Sequence, residues 1–146
     1  MTPRGLRNNN PLNIRRGGSQ WQGLKREQAD SQFCQFTTMA YGWRAAFVLL
    51  TRTYYHKYRL FTIEGIINRW APPRENDTRA YVDTVSGLMN YDKNLPLGIP
   101  STCPTRWMRL AVAMSIVENG TKAFDYFAML DGWDMAVETI RRGDYT

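Results

Sequence analysis

One carboxylate in this chain stands where acid chemistry would want it. Glu118 ends the segment Arg109-Leu-Ala-Val-Ala-Met-Ser-Ile-Val-Glu-Asn-Gly120, an apolar run that reaches a glutamate and stops on Asn-Gly. Asn and Gly tolerate the left-handed backbone that terminates helices, so the spacing predicts Glu118 in a last helical turn. That end carries the partial negative charge of the helix dipole. A carboxyl group there, beside apolar surface, is expected to favour its protonated form, which a general acid needs. The plain alternative is a surface glutamate at a fraying end.

Other chemistries are thinly supplied. His56 is the single histidine, and Cys34 and Cys103 lack CxxC spacing. A zinc site, or a Ser-His-Asp or Cys-His unit, is hard to assemble from that set. No metal and no cofactor is expected, and carboxylates are left to do the work. Glu27, Asp30 and Glu75 are the candidate second carboxylates. Glu27 and Asp30 fall near a turn and read most simply as solvated loop charges. Glu75 precedes a helix start, where an acid is held ionised and makes a poor proton donor.

Polar and aromatic residues that could hold a sugar come early. Asn8-Asn-Asn-Pro-Leu-Asn-Ile-Arg15 is turn chemistry first, but the amides of Asn10 and Asn13 could also grip hydroxyl and acetamido groups. Trp21, beside Gly23, could be a stacking face or a core residue.

The elements that must position these residues follow from periodicity. Residues 1–38 read as a β-rich loop region. Leu12–Arg16 and Gln20–Gln22 flank a Gly17-Gly18 turn as a hairpin, with Gln32–Thr37 as a third short strand. Residues 39–146 read as helical. Trp43, Phe47, Leu50 and Tyr54 form one apolar stripe. Thr62 caps a short helix that Pro72-Pro73 stops. Asn76, Asp77 or Thr78 caps the next, with Tyr81, Val82, Val85, Leu88 and Met89 inward. Residues 90–104, with Pro96, Pro100 and Pro104, read as a loop. Thr105 caps the helix to Glu118, and a last helical region covers about 121–142. The expected fold is mainly α (α+β), a helical domain with a small N-terminal β-hairpin element.

The chain has 146 residues, which fits one domain over 1–146. A core of that size needs no metal or disulfide staple. The formal net charge is +6, and Arg4, Arg7, Arg15, Arg16, Lys25 and Arg26 all precede the first acid, Glu27. A basic front end implies an anionic partner, either nucleic acid or a bacterial cell wall rich in carboxylates and phosphates. No stretch approaches a membrane span, and Met1-Thr-Pro-Arg-Gly-Leu-Arg7 has no apolar signal region. Synthesis in the cytoplasm, with no exit by the ordinary secretory route, is therefore expected.

The order of the motifs resembles a known superfamily. Asn10-Pro-Leu-Asn-Ile-Arg15, Gly17-Gly-Ser-Gln-Trp-Gln-Gly23 and Phe33-Cys-Gln-Phe36 before a long apolar helix resemble the bacterial glucosaminidase branch of the lysozyme-like superfamily. Arg69-Trp70 and Thr78-Arg-Ala-Tyr81-Val82-x-x-Val85 look like the Thr-x-x-Tyr-Val segment of lytic transglycosylases, whose tyrosine faces the catalytic glutamate. Arg4-Gly-x-Arg-Asn-Asn-Asn-Pro, with Arg69-Trp-Ala-Pro-Pro-x-Glu-Asn-Asp-Thr78, also looks like small phage structural or lysis proteins. The likeness touches residues 4–85 in patches.

In those enzymes the catalytic glutamate ends a helix that precedes the asparagine turn, and no acid precedes Asn8 here. Glu118-Asn-Gly120 could supply it by circular permutation, which folds tolerate when their termini lie close together. The resemblance then implies a lysozyme-like domain that cleaves the β-1,4 glycan backbone of peptidoglycan. Glu118 and Tyr81 would be catalytic, and Asn10, Asn13, Trp21 and Thr78 would bind substrate, in a monomer with no membrane span. A non-catalytic phage structural or nucleic-acid-binding protein on the same fold, or a cross-link peptidase, stays open. The geometric expectation is that Glu118 lies across a cleft from Asn10–Asn13 and Tyr81.

Overall fold

A computed structural model describes residues 2–74 and 76–146, and it is mainly helical. A single turn, α1 (Arg4–Arg7), precedes an irregular segment that runs to Thr38. Thr38 then caps α2 (Met39–Val48), its hydroxyl accepting from the Tyr41 N–H at 3.3 Å. This helix passes directly into a π-helical stretch, Leu49–Lys57. Next come α3 (Ile63–Trp70), α4 (Thr78–Met89), α5 (Pro104–Asn119) and α6 (Tyr126–Arg141).

The start signals act through side-chain caps. Thr62 accepts from the Gly65 N–H at 3.0 Å, Asp77 from Ala80 at 3.1 Å and Asp125 from Ala128 at 3.0 Å. One start differs from expectation. Thr105 does not cap α5; Cys103 occupies the cap position and Pro104 the first helical residue, where a missing N–H costs nothing. The end of α5 is as read: Gly120 takes φ +66° and halts the helix one residue after Asn119.

Helix α2 packs on α6, α4 on α5, and α3 on α4. Trp43 and Phe47 of α2, Leu50 of the π-helical stretch, Ile66 and Ile67 of α3, Val85 of α4, and Trp107 and Leu110 of α5 are all fully buried in one core. Leu88 departs from its expected inward face and stays half exposed at the rim of an apolar groove along α5. Gly132 sets the α2–α6 distance. A Cβ there would lie 2.5 Å from Trp43 Cβ and 2.8 Å from Arg44 N, so only glycine admits this approach.

The N-terminal hairpin is not formed. Two isolated bridges occur instead, Arg15 with Phe33 and Leu24 with Phe36. The 33–36 stretch thus meets the first expected strand at Arg15 and, at Leu24, a position beyond the expected second strand. A few backbone bonds accompany these bridges, Cys34 N–H to the Ile14 carbonyl at 2.9 Å and Arg16 N–H to the Gln32 carbonyl at 2.8 Å, and side chains bond much of the rest of the backbone. Asn10 Nδ2 donates to the Ile14 and Cys34 carbonyls, both at 2.9 Å, while its Oδ1 accepts from the Ile14 N–H at 2.9 Å. Gln35 N–H donates to Gln28 Oε1 at 2.8 Å. Gln22 N–H, in the expected second strand, donates to the Thr146 carbonyl at 3.1 Å. The 1–38 region is therefore an irregular, side-chain-stapled segment, not a β element.

The π-helical stretch begins where Thr51 turns its hydroxyl onto the Phe47 carbonyl at 2.7 Å, four residues back. That carbonyl is the one an α-helical Thr51 N–H would use. Pairing of N–H with the carbonyl five residues back places residues i and i+5 on one side. In an α-helix the same two positions would point about 140° apart at 3.6 residues per turn.

Candidate active site

Helix α5 delivers Glu118 in its last turn, half buried. Both carboxylate oxygens are held by neutral donors. Asn13 Nδ2 donates to Oε1 at 3.1 Å and the Tyr81 hydroxyl donates to Oε2 at 2.9 Å. Glu118 thus touches Asn13 and Tyr81 directly, where it was expected to face them across a cleft.

Each partner is placed by its own local structure. Asn13 sits at φ +53°, a left-handed position that asparagine tolerates well. Its turn is fastened to the end of α5 by Asn119, whose Nδ2 donates to the Pro11 carbonyl at 2.8 Å and to the Ser115 carbonyl at 3.0 Å. Tyr81 projects from the first turn of α4, buried. Burial pushes its phenol well above the ordinary tyrosine range, and the adjacent Glu118 adds to the shift. Tyr81 therefore remains a proton-bearing donor across the working pH range.

Glu118 lines a cleft of about 450 Å³. Asn13, Trp21, Tyr54, Trp70 and Asn76 share its wall. Tyr54 and Trp70 meet edge to face, with ring centroids 5.9 Å apart. Leu49 also lines the cleft, and Leu49 and Tyr54 are five residues apart in the π-helical stretch. The wider helical turn is what lets both face the same wall. Sequence periodicity placed Tyr54 in the core and gave no sign of a cleft role. The π turn is not legible in a 3.6-residue pattern.

Not every expected residue gathers here. Asn10 is fully buried and its amide is consumed by the turn, so it holds the chain that carries Asn13 and does not face the cleft. Thr78 is also buried, and its hydroxyl donates to the Ala71 carbonyl; it ties the start of α4 to the end of α3. Glu27 is exposed and outside the cleft lining. Glu75 lies outside the described residues. Among the described residues Glu118 is the one acid lining the cleft.

Asp30 has a structural position. Arg4 grips it in a two-pronged pair, Nε to Oδ2 and Nη2 to Oδ1, each at 2.7 Å. Asn8 Nδ2 adds a bond at 2.9 Å, as do the Gln32 and Phe33 N–H groups. These donors, Arg4 foremost, hold the Asp30 carboxyl far below the usual carboxylate range. A depressed acid contributes its stability above the unfolded value, 3.8 here, and loses it as pH falls below that. Asp30→Asn should lower the thermal midpoint at neutral pH and flatten its decline in acid. Melting curves from pH 7 to pH 2 check this, and parallel curves for the two proteins would contradict it.

No helix among the described residues is long and apolar enough to cross a membrane. No family model matches the chain. Over 134 aligned residues it is 42% identical to "Protein P5" of Pseudoalteromonas phage PM2, an alignment covering 90% of this chain and 80% of that protein.

Proposed function

We propose that this chain, which belongs to the same family as Protein P5 of Pseudoalteromonas phage PM2, is a peptidoglycan-degrading glycosidase of lysozyme-like, circularly permuted architecture. The observation that carries the reading is Glu118 itself, a carboxyl group clamped at both oxygens on the wall of an aromatic-lined cleft. Long polymer substrates need such an open trough, and sugar faces stack on tryptophan and tyrosine rings. The relative's phage origin fits a protein made inside a bacterium and directed at its wall.

In this scheme Glu118 protonates the β-1,4 glycosidic oxygen as positive charge develops on the departing sugar. Asn13 and Tyr81 fix the rotamer of the acid, so its proton points into the cleft without a search. Tyr81 then donates to the carboxylate left behind. The two-carboxylate schemes need a partner acid on the opposite wall. Among the described residues the cleft offers no such partner, and the second step goes to the substrate itself, with Glu75, outside the described residues, as the alternative. Either the substrate's N-acetyl oxygen attacks the anomeric carbon and water then opens the ring so formed, or its own 6-hydroxyl attacks and closes a 1,6-anhydro sugar; in each case the water or hydroxyl gives its proton back to the Glu118 carboxylate.

Mass spectrometry of fragments released from purified peptidoglycan tests this directly. Disaccharide-peptide fragments, reducing or 1,6-anhydro, are the expected products. Free cross-link peptides would mark a peptidase instead. No released fragment from protein shown to be folded would favour a structural or nucleic-acid-binding role.

A further inference from the structure

We infer that the candidate cleft continues past Trp21 into a cationic trench that holds carboxylates carried by the glycan strand, an inference that rests on reading the cleft as glycan-binding. Beyond Trp21 lies a second groove of about 430 Å³ that shares Gly17, Ser19 and Trp21 with the first. Trp21, largely buried in the core, contributes to the wall of both. Arg16, Lys25 and Arg26 line the second groove and Arg15 lines the first. Among the described residues none of these four enters an ion pair within 4.0 Å, while Arg4, Lys93, Arg141 and Arg142 do.

Four uncompensated cations along one track repel one another and wait for an anion. Two of them are already oriented. Arg15 lies 5.3 Å from the centre of the Phe33 ring, and Arg16 Nη1 donates to the Asp30 carbonyl at 3.0 Å. Heads held in place lose less freedom on binding. Glu118, the one acid among the described residues of the cleft lining, lies in the first groove and outside the second. A polymer with a charge on every unit would meet repulsion there. A glycan strand with neutral sugars at the cut and carboxylates on its substituents matches both grooves, which favours it over nucleic acid. Carboxylate comes from the attached peptide on units that bear one, and from the lactyl ether on units that have lost it, since the lactyl carboxyl is the group that holds the peptide as an amide.

The test measures binding, in a Glu118→Gln background so that no strand is cut. The probes are intact peptidoglycan sacculi, sacculi stripped of peptide by an amidase (leaving the lactyl carboxylate alone), and neutral chitin. Lys25→Gln/Arg26→Gln should weaken binding to intact sacculi about tenfold at low salt, as two exposed charge contacts allow. The deficit should vanish near ~0.5 M salt, where screening is short-ranged. Chitin binding should not change. Because removal of the peptide frees the lactyl carboxyl, a deficit that persists on the stripped glycan shows that either carboxylate satisfies the trench, and its loss there assigns the peptide.

The charge-matched Arg79→Gln/Arg141→Gln variant should bind sacculi like the parent; an equal loss would overturn the trench in favour of net charge. Equal weakening on chitin, no weakening on sacculi, or tighter binding of a DNA duplex with the same Lys25/Arg26 dependence would each overturn it too. The two readings fail separately. Lost sacculus binding in a protein that never releases fragments sinks the glycosidase and spares the trench, while unchanged binding in an active enzyme does the reverse.

Discussion

Glu118→Gln should cut glycan-strand cleavage by about 10²–10⁴-fold, the usual contribution of a positioned general acid. Glutamine keeps the size and shape of the side chain. Its amide oxygen can still accept from Tyr81 or from Asn13, but it has no proton of useful acidity to give. The fold should survive, because Glu118 is half buried and enters no ion pair among the described residues. Circular dichroism and a thermal melt establish that survival, and fragment release from sacculi reads the rate. Activity that stays near the parent level would remove Glu118 from the chemistry.

The second large effect is structural, and it lands on the same site from a distance. Gly42 in α2 faces the asparagine turn so closely that a Cβ there would fall onto the Asn9 carbonyl oxygen, with Pro11 Cδ 2.8 Å away. Neither neighbour is the flexible end of a side chain. Gly42→Ala must push the turn outward, and overpacking of this kind costs about 1–3 kcal/mol. The gain in helix propensity, up to ~1 kcal/mol, only partly offsets that.

Asn13 rides on the displaced turn, so cleavage should fall as well, by as much as about 100-fold for a shift near 1 Å. Gly87→Ala is the contrast. That glycine sits in α4 with nothing within 4 Å of a new Cβ, so alanine should stabilise by roughly 0.5–1 kcal/mol. Denaturant titrations of both variants give the two signs. Outcomes of opposite sign are the expectation, and a stabilised Gly42→Ala would disprove the close contact.

The helical part of the fold was legible because its signals are local. Thr62, Asp77 and Gly120 end or begin helices through their own side chains or backbone freedom, and Trp43, Phe47 and Leu50 announce a buried stripe by spacing alone. The front of the chain was not legible in the same way. Alternation and a Gly-Gly turn suggested a hairpin, yet Asn10 and Gln28 bond the backbone from their side chains, and such contacts leave no periodic trace. Cys103 in place of Thr105 at the head of α5 shows the weight of Pro104, which fixes where the first helical residue falls.

The candidate site divides along the same line. Glu118, Asn13 and Tyr81 could be brought together from motif order, since each carries its chemistry in its type. Asn10 and Thr78 share that chemistry, but their polar atoms are spent inside the fold, and burial is not written in a motif. Tyr54 was hidden for the opposite reason. Its position in an α-helical repeat points inward, and only the wider turn begun near Thr51 brings it to the cleft wall.

The clamp on Glu118 also bears on when the protein becomes competent. Its two donors lie 105 and 37 residues away along the chain, so no short fragment contains the assembled group. Contacts between distant segments form late, after nearer ones have paid the loop-closure entropy. Helix α5 can be complete while Glu118 is still unheld. A chain emerging from a ribosome, or threaded extended through a narrow passage, carries every residue of the site and none of its geometry. Competence would arrive as the final event of folding, wherever that folding takes place.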